Sequence, residues 1–172
     1  MMDIEKLPQR KSPRLKGFDY HSEYAYFVTI CTKDRKCLLS HIVGTGVPTC
    51  PSVELTGYGV VAQQILQEMN LFYDHISVDA FVIMPNHIHL LVRILNDESG
   101  QVRTPVPTSK VTSLSQHVAT FKRFCTKQYG KSIWQTRFYD HIIRDEKDYQ
   151  AHLRYIDENP LRWQLDELYS NI

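Results

Sequence analysis

Apolar residues recur along this chain with two periods, one of strands and one of helices. Tyr24 to Thr32 is almost continuously apolar and rich in aromatic and β-branched residues, which predicts a strand buried on both faces. A short strand is expected within Cys37–Val43, followed by a Gly- and Pro-containing loop from Gly44 to Pro51. From Gly59 to Tyr73, the residues Ala62, Ile65, Leu66, Met69 and Phe72 fall at helical spacing. Ile76–Met84 and His87–Ile94 read as two strands joined by a tight Pro85-Asn86 turn, hence a hairpin. A second loop runs from Asn96 to Lys110. Ser113, with Gln116 three residues on, forms a capping box that opens a helix stopped by Gly130. Phe138–Ile143 reads as a short strand. Asp145 then caps a last helix, expected to end at Asn159-Pro160.

The central hairpin is too tight for a parallel crossover, which needs a dozen or more residues. With helices interleaved among the strands, the order predicts an α+β fold. It is a ferredoxin-like sandwich with a mainly antiparallel sheet and helices packed on it. Residues 1–22 are polar and basic and read as an N-terminal arm, with residues 23–172 as one domain.

Composition narrows the function only a little. A net charge of +1 does not mark a general nucleic-acid binder, although basic residues cluster in the arm, after the first strand and around Lys122–Lys131. No apolar run reaches membrane-spanning length and the N-terminus has no apolar signal core, so a soluble cytoplasmic protein with no membrane partner is expected. Cys31, Cys37, Cys50 and Cys125 form no Cys-x-x-Cys pair and are expected to be free thiols.

Candidate chemistry sits in two places. His87 and His89 flank Ile88 in a strand, so their side chains share one face about 6–7 Å apart, a spacing that suits a shared divalent metal. On the last helix, Tyr149, Leu153 and Ile156 form the packing stripe. Asp148, His152, Tyr155 and Asn159 form an adjacent stripe at its edge. Tyr155 and Asn159 lie one turn apart and can reach one site. A tyrosine oxygen near a metal held by two imidazoles and an amide oxygen suits phosphodiester cleavage through a covalent intermediate.

Met84-Pro85-Asn86-His87-Ile88-His89-Leu90-Leu91-Val92 resembles the His-hydrophobe-His motif of single-tyrosine transposases. Ile133-Trp134-Gln135-Thr136-Arg137-Phe138-Tyr139-Asp140-His141-Ile142-Ile143-Arg144, followed by Tyr155-Ile156-Asp157-Glu158-Asn159-Pro160, is similar to their REP-associated branch. The resemblance covers roughly residues 17–163. It implies His87, His89 and Asn159 as ligands of Mg²⁺ or Mn²⁺, and Tyr155 as nucleophile. It implies single-stranded DNA with hairpin structure as substrate, cut to a 5′-phosphotyrosyl intermediate and a free 3′-hydroxyl. It leaves open a homodimer that pairs the histidines of one subunit with the tyrosine helix of the other.

Other residues could contribute. Trp134, Phe138 and Tyr139 could stack bases, and Lys122, Arg123, Arg137 and Arg144 could meet phosphates. Tyr139 is the second-choice nucleophile. Two further functions compete with strand transfer. One is a non-cleaving module that grips hairpin nucleic acid. The other is a zinc hydrolase recruiting His141 or His152, for which no His-Glu-x-x-His helix exists.

Overall fold

In the computed structural model, the residues described are 25–44, 51–73, 75–95 and 113–170. The N-terminal arm of residues 1–22, the loop Asn96–Lys110 and residues 45–50 lie outside them, as does Cys50.

The elements run β1 (Ala25–Cys31), β2 (Ser40–Val43), β3 (Ser52–Leu55), α1 (Gly57–Phe72), β4 (Ile76–Ile83), β5 (His87–Ile94), α2 (Leu114–Tyr129), β6 (Tyr139–Ile143) and α3 (Glu146–Glu158). The main sheet has the order β4-β5-β1-β6 with every pairing antiparallel, and β2 and β3 form a separate hairpin. Setting that hairpin aside, the chain order is βαββαβ and the fold is ferredoxin-like. The doubly apolar β1 is central, as its sequence predicts, paired on one side with β5 and on the other with β6.

The sheet has two unlike faces. Tyr26, Val28 and Ile30 of β1, with Ile88, Leu90, Val92 and Ile94 of β5, point to α1 and α2 and form the larger core with Leu66, Met69, Val118 and Phe121. Phe27 of β1 and Leu91 of β5 point the other way, to α3, where Ile143 and Ile156 complete a small second core. His87 and His89 share this second face, because strand side chains alternate.

Local chemistry sets the ends of the elements. Thr56 caps α1, its hydroxyl accepting from the Gly59 backbone at 3.3 Å and donating to the Leu38 carbonyl at 2.6 Å. A Cβ at Gly59 would collide with the Leu39 carbonyl, so only glycine lets the helix start this close to the strand-entry segment. The Ser113–Gln116 capping box is present, and Gly130 closes α2 at φ 69°. Residues 52–55, for which the pattern predicts no element, form the strand β3, which pairs with β2. The last α-helix ends where expected, with Asn159 as its C-cap, and Asn159–Leu165 follow as a 3₁₀ turn. Pro160 is tolerated there because its missing N–H falls at the start of the new turn, where no helical partner is required.

Candidate active site

The Pro85-Asn86 turn is pinned before it presents His87. The Leu39 backbone N–H donates to the Pro85 carbonyl and that of Thr32 to the Asn86 carbonyl, each at 2.9 Å. The Asn86 side chain donates through Nδ2 to the Leu168 carbonyl at 2.8 Å, the Ser170 hydroxyl at 3.0 Å and the Arg35 carbonyl at 3.3 Å. Its Oδ1 is thereby left as acceptor, 2.8 Å from His87 Nδ1. The proton of neutral His87 therefore sits on Nδ1, and the lone pair on Nε2. His89, opposite Thr29 in the β1–β5 register, shares a 2.9 Å hydrogen bond between its Nδ1 and the Thr29 hydroxyl.

The two rings are closer than strand spacing alone suggests. Their centroids are 4.4 Å apart in an edge-on contact. Phe27 stacks on His89 at 4.9 Å and Trp163 lies 5.9 Å from His87, so both rings are confined. Both histidines are held neutral. Burial pushes His87 down to about 4, with Asp166 opposing and Arg35 assisting. Burial, then His87 and His152, push His89 well below the ordinary histidine range.

Helix α3 lies over this face. Tyr149 fixes it to the sheet edge by donating to Asp79 at 2.9 Å, where Arg93 pairs with the same carboxylate at 2.8 Å. Of the stripe expected at the edge of the packing face, His152 and Asn159 turn fully inward, at 3% and 1% exposed, while Asp148 and Tyr155 are half-buried. The Tyr155 ring meets His89 edge-on at 5.3 Å and Phe27 at 5.7 Å, so the tyrosine lies beside the histidines of its own chain. Its hydroxyl donates to Asp166 Oδ2 at 3.2 Å, and Asn159 Nδ2 donates to the same oxygen at 3.0 Å. Burial and then the Asp166 charge raise the Tyr155 phenol above its ordinary value. Asp166 thus joins both helix residues, and its carboxylate lies within 4.8 Å of donor atoms of His87 and His89. It is the one member of the cluster that the pattern of the sequence did not single out.

Three buried atoms in the cluster have no hydrogen-bond partner among the described residues: Nε2 of His87, Nε2 of His89 and Oδ1 of Asn159. His87 Nε2 and Asn159 Oδ1 carry lone pairs, and His89 Nε2 does so in the tautomer whose Nδ1–H donates to Thr29, so the donor set fits a divalent cation.

The residues considered for DNA contact divide differently. Arg123, Arg137 and Arg144 are exposed, as is Tyr139 at 54%. Trp134 is 2% exposed, packed 5.5 Å from Phe121, and held by a backbone bridge to Thr32 that tucks its loop into the larger core. Phe138 is buried as well. The Lys122 ammonium is directed inward, donating to the carbonyls of Gln135 at 2.8 Å and Arg137 at 3.0 Å. No helix among the described residues is long and apolar enough to cross a membrane.

A ferredoxin-like sheet carrying a buried His-x-His pair beneath a tyrosine-bearing helix defines the class of protein. The chain belongs to the IS200-like transposase family, whose model matches residues 20–159. It is 35% identical over 174 residues to an uncharacterized protein of Haemophilus influenzae, with 93% of each chain covered. It is 38% identical over 85 residues, 48% of either chain, to a putative REP-associated tyrosine transposase of the same organism. Among solved structures, a REP-associated tyrosine transposase bound to a REP hairpin shares the fold. The TM-score is 0.58 at 22% identity, covering 87% of this chain and 74% of that one.

Proposed function

We propose that this chain cuts and rejoins single-stranded DNA beside hairpins, with Tyr155 as nucleophile and a divalent cation on His87, His89 and Asn159. The observation that carries this reading is the trio of unpartnered, buried polar atoms gathered around a tyrosine. A buried polar group left unpaired costs about 1–3 kcal/mol, and a ligand at this site would offset that cost. Asp166 is close enough to add a harder oxygen donor, which favours Mg²⁺ or Mn²⁺. Bound there, such a cation would polarise the phosphate and stabilise the departing oxygen.

The chain's own residues account for the rest. Tyr155 donates its hydroxyl proton to Asp166 Oδ2, which is the group placed to take it during attack. As the phenolic oxygen bonds to phosphorus, the bond from phosphorus to the 3′ oxygen breaks. The 5′ side stays on Tyr155, and the 3′ oxygen leaves, taking a proton as a free hydroxyl. Attack by another 3′-hydroxyl reverses the step and joins strands. Phe27, His89 and the body of α3 fix the tyrosine ring, so its line of attack is set by packing. One chain supplies every member of this set. A relative that binds a REP hairpin supports hairpin DNA as the substrate class.

The test is incubation with a labelled single-stranded hairpin library plus Mg²⁺ or Mn²⁺, scored for a denaturation-resistant protein–DNA adduct. Wild type should form adduct. Tyr155→Phe should lose it while binding hairpins with nearly unchanged affinity. Adduct that survives Tyr155→Phe but not Tyr139→Phe would reassign the nucleophile. Hairpin binding without any adduct from wild type would make the protein a binding module.

A further inference from the structure

We propose a second cation site, independent of the first, formed by His141 of β6 with Asp148 and His152 of α3. Its ligand class is a zinc-type divalent ion, and its effect is to tie the tyrosine helix to the sheet. One donor atom from each residue lies within 4.8 Å of the others. Two of the separations are already short. His141 Nε2 is 2.9 Å from Asp148 Oδ2, and His152 Nδ1 is 3.1 Å from Asp148 Oδ1. His152 Nδ1 also donates to the Asp148 backbone carbonyl at 2.9 Å, so an ion would displace that proton. Tetrahedral zinc with bonds near 2.0–2.2 Å sets its donors about 3.3 Å apart, so a small rotation of one ring closes the shell.

The electrostatics suit such an ion better than a proton. The two rings stack with centroids 4.8 Å apart and an interplanar angle of 22°, so two imidazolium charges there would repel. Burial lowers His152 from its ordinary value and favours the neutral, ligating ring. At Asp148, burial works against the charge. The hydrogen bonds from His141 and the Arg144 backbone outweigh it and hold the carboxyl below its ordinary range. Two neutral imidazoles and one carboxylate are a donor set of catalytic zinc sites, which keep a fourth position open. Side-chain exposures of 29% for His141 and 23% for Asp148 leave that position to solvent. Phe27 stands between the two sites, its ring 4.7 Å from His152 on one side and 4.9 Å from His89 on the other.

The experiment is calorimetric titration of the full chain with Zn²⁺, followed by Co²⁺ titration monitored by visible absorption. The variant His87→Ala/His89→Ala removes the first site. It should keep one equivalent of Zn²⁺ and give the intense absorption of tetrahedral Co²⁺. Adding Asp148→Asn or His141→Gln should abolish that equivalent or weaken it at least tenfold. His141→Gln alone should cost wild type one equivalent, and because His141 is partly exposed this variant decides the matter if the double variant does not fold. Unchanged stoichiometry and affinity in His141→Gln overturn the proposal. No Zn²⁺ bound by a folded His87→Ala/His89→Ala chain does so too, leaving the trio as a carboxylate bridging two rings. Neither result depends on DNA cleavage, so failure here and failure of the transposase mechanism are distinguishable.

Discussion

Replacing Asn86 by alanine should damage the candidate metal site without touching any proposed ligand. Asn86 is 1% exposed, and its amide links the hairpin turn, His87 and the segment at Leu168–Ser170 described above. The substitution leaves the His87 Nδ1–H without its acceptor, which costs about 1–3 kcal/mol for a buried donor. It also removes the two shorter Nδ2 bonds, at 2.8 and 3.0 Å, each with a net worth of about 0.5–1.5 kcal/mol. Partial entry of water lowers the sum, so a loss of roughly 2–4 kcal/mol is expected. For a domain of this size that is a melting-temperature drop of about 4–16 °C. The second effect is on the lone pair. Without its acceptor, neutral His87 can place the proton on Nε2 and the ring can turn, so Mn²⁺ affinity should fall about 10–100-fold, the usual cost of losing an orienting partner. Urea denaturation without metal measures the first effect, and calorimetric Mn²⁺ titration the second. A loss below about 1 kcal/mol together with unchanged Mn²⁺ affinity would refute the claim that this network orients the histidine.

Three further outcomes follow from the packing. His117 is buried in the larger core and burial lowers it to about 4, so the unfolded chain, with histidine near 6.5, binds more protons between those values. Its contribution is complete above pH 6.5 and is lost as pH falls toward 4; between pH 7 and pH 5 it amounts to about 2 kcal/mol, and His117→Gln should flatten the urea-derived stability profile there. Phe27→Leu keeps the core apolar but removes the ring between His89, His152 and Tyr155, so it should cost about 1–1.5 kcal/mol in denaturation and lower the adduct-formation rate by more than it weakens hairpin binding. Lys122→Met keeps the apolar stem and deletes the donors to the Gln135 and Arg137 carbonyls, so it should cost about 2 kcal/mol of stability and leave the salt dependence of DNA binding unchanged; a shallower salt slope would show that this ammonium meets phosphate.

The fold was legible because each element carried its own signal. A doubly apolar strand had to be central, a two-residue turn had to give an antiparallel hairpin, and capping residues marked the starts of α2 and α3. The strand β3 was not legible, since Ser52-Val53-Glu54-Leu55 is short, follows Pro51 and buries neither face fully. The sequence leaves Trp134 open between core and base stacking, because nothing local reveals the bridge that draws its loop against Thr32. Neither phosphate contact nor simple solvation, the two readings the sequence offers for Lys122, anticipates its inward direction, because its carbonyl partners lie in a later loop. The inward turn of His152 and Asn159 escaped the helical pattern for a related reason. Polar residues on a helix are assigned to its border, but His152 finds a partner in Asp148 of its own helix and Asn159 in Asp166, so these two are buried. Asp166 had no periodicity to give it away, standing in the exit from a 3₁₀ turn, and became visible only through its contacts with Tyr155 and Asn159.

The two faces of the sheet divide the work of the molecule. On β5, Ile88, Leu90, Val92 and Ile94 enter the large apolar core, while the alternate positions His87 and His89 face α3. The same alternation on β1 sends Tyr26, Val28 and Ile30 to the core and Phe27 and Thr29 to the histidines. A one-residue slip between these strands would drive the imidazoles into the apolar side and expose Ile88 and Leu90 to the polar one. The large core therefore enforces the register that aligns His89 with Thr29 and His87 with Cys31. Hydrophobic burial on one face sets geometry on the other, where unpaired lone pairs and a hydrogen-bonded tyrosine would otherwise be too costly to hold in place. That division is why the proposed chemistry can reside on a smaller, partly polar core without leaving the domain short of stability.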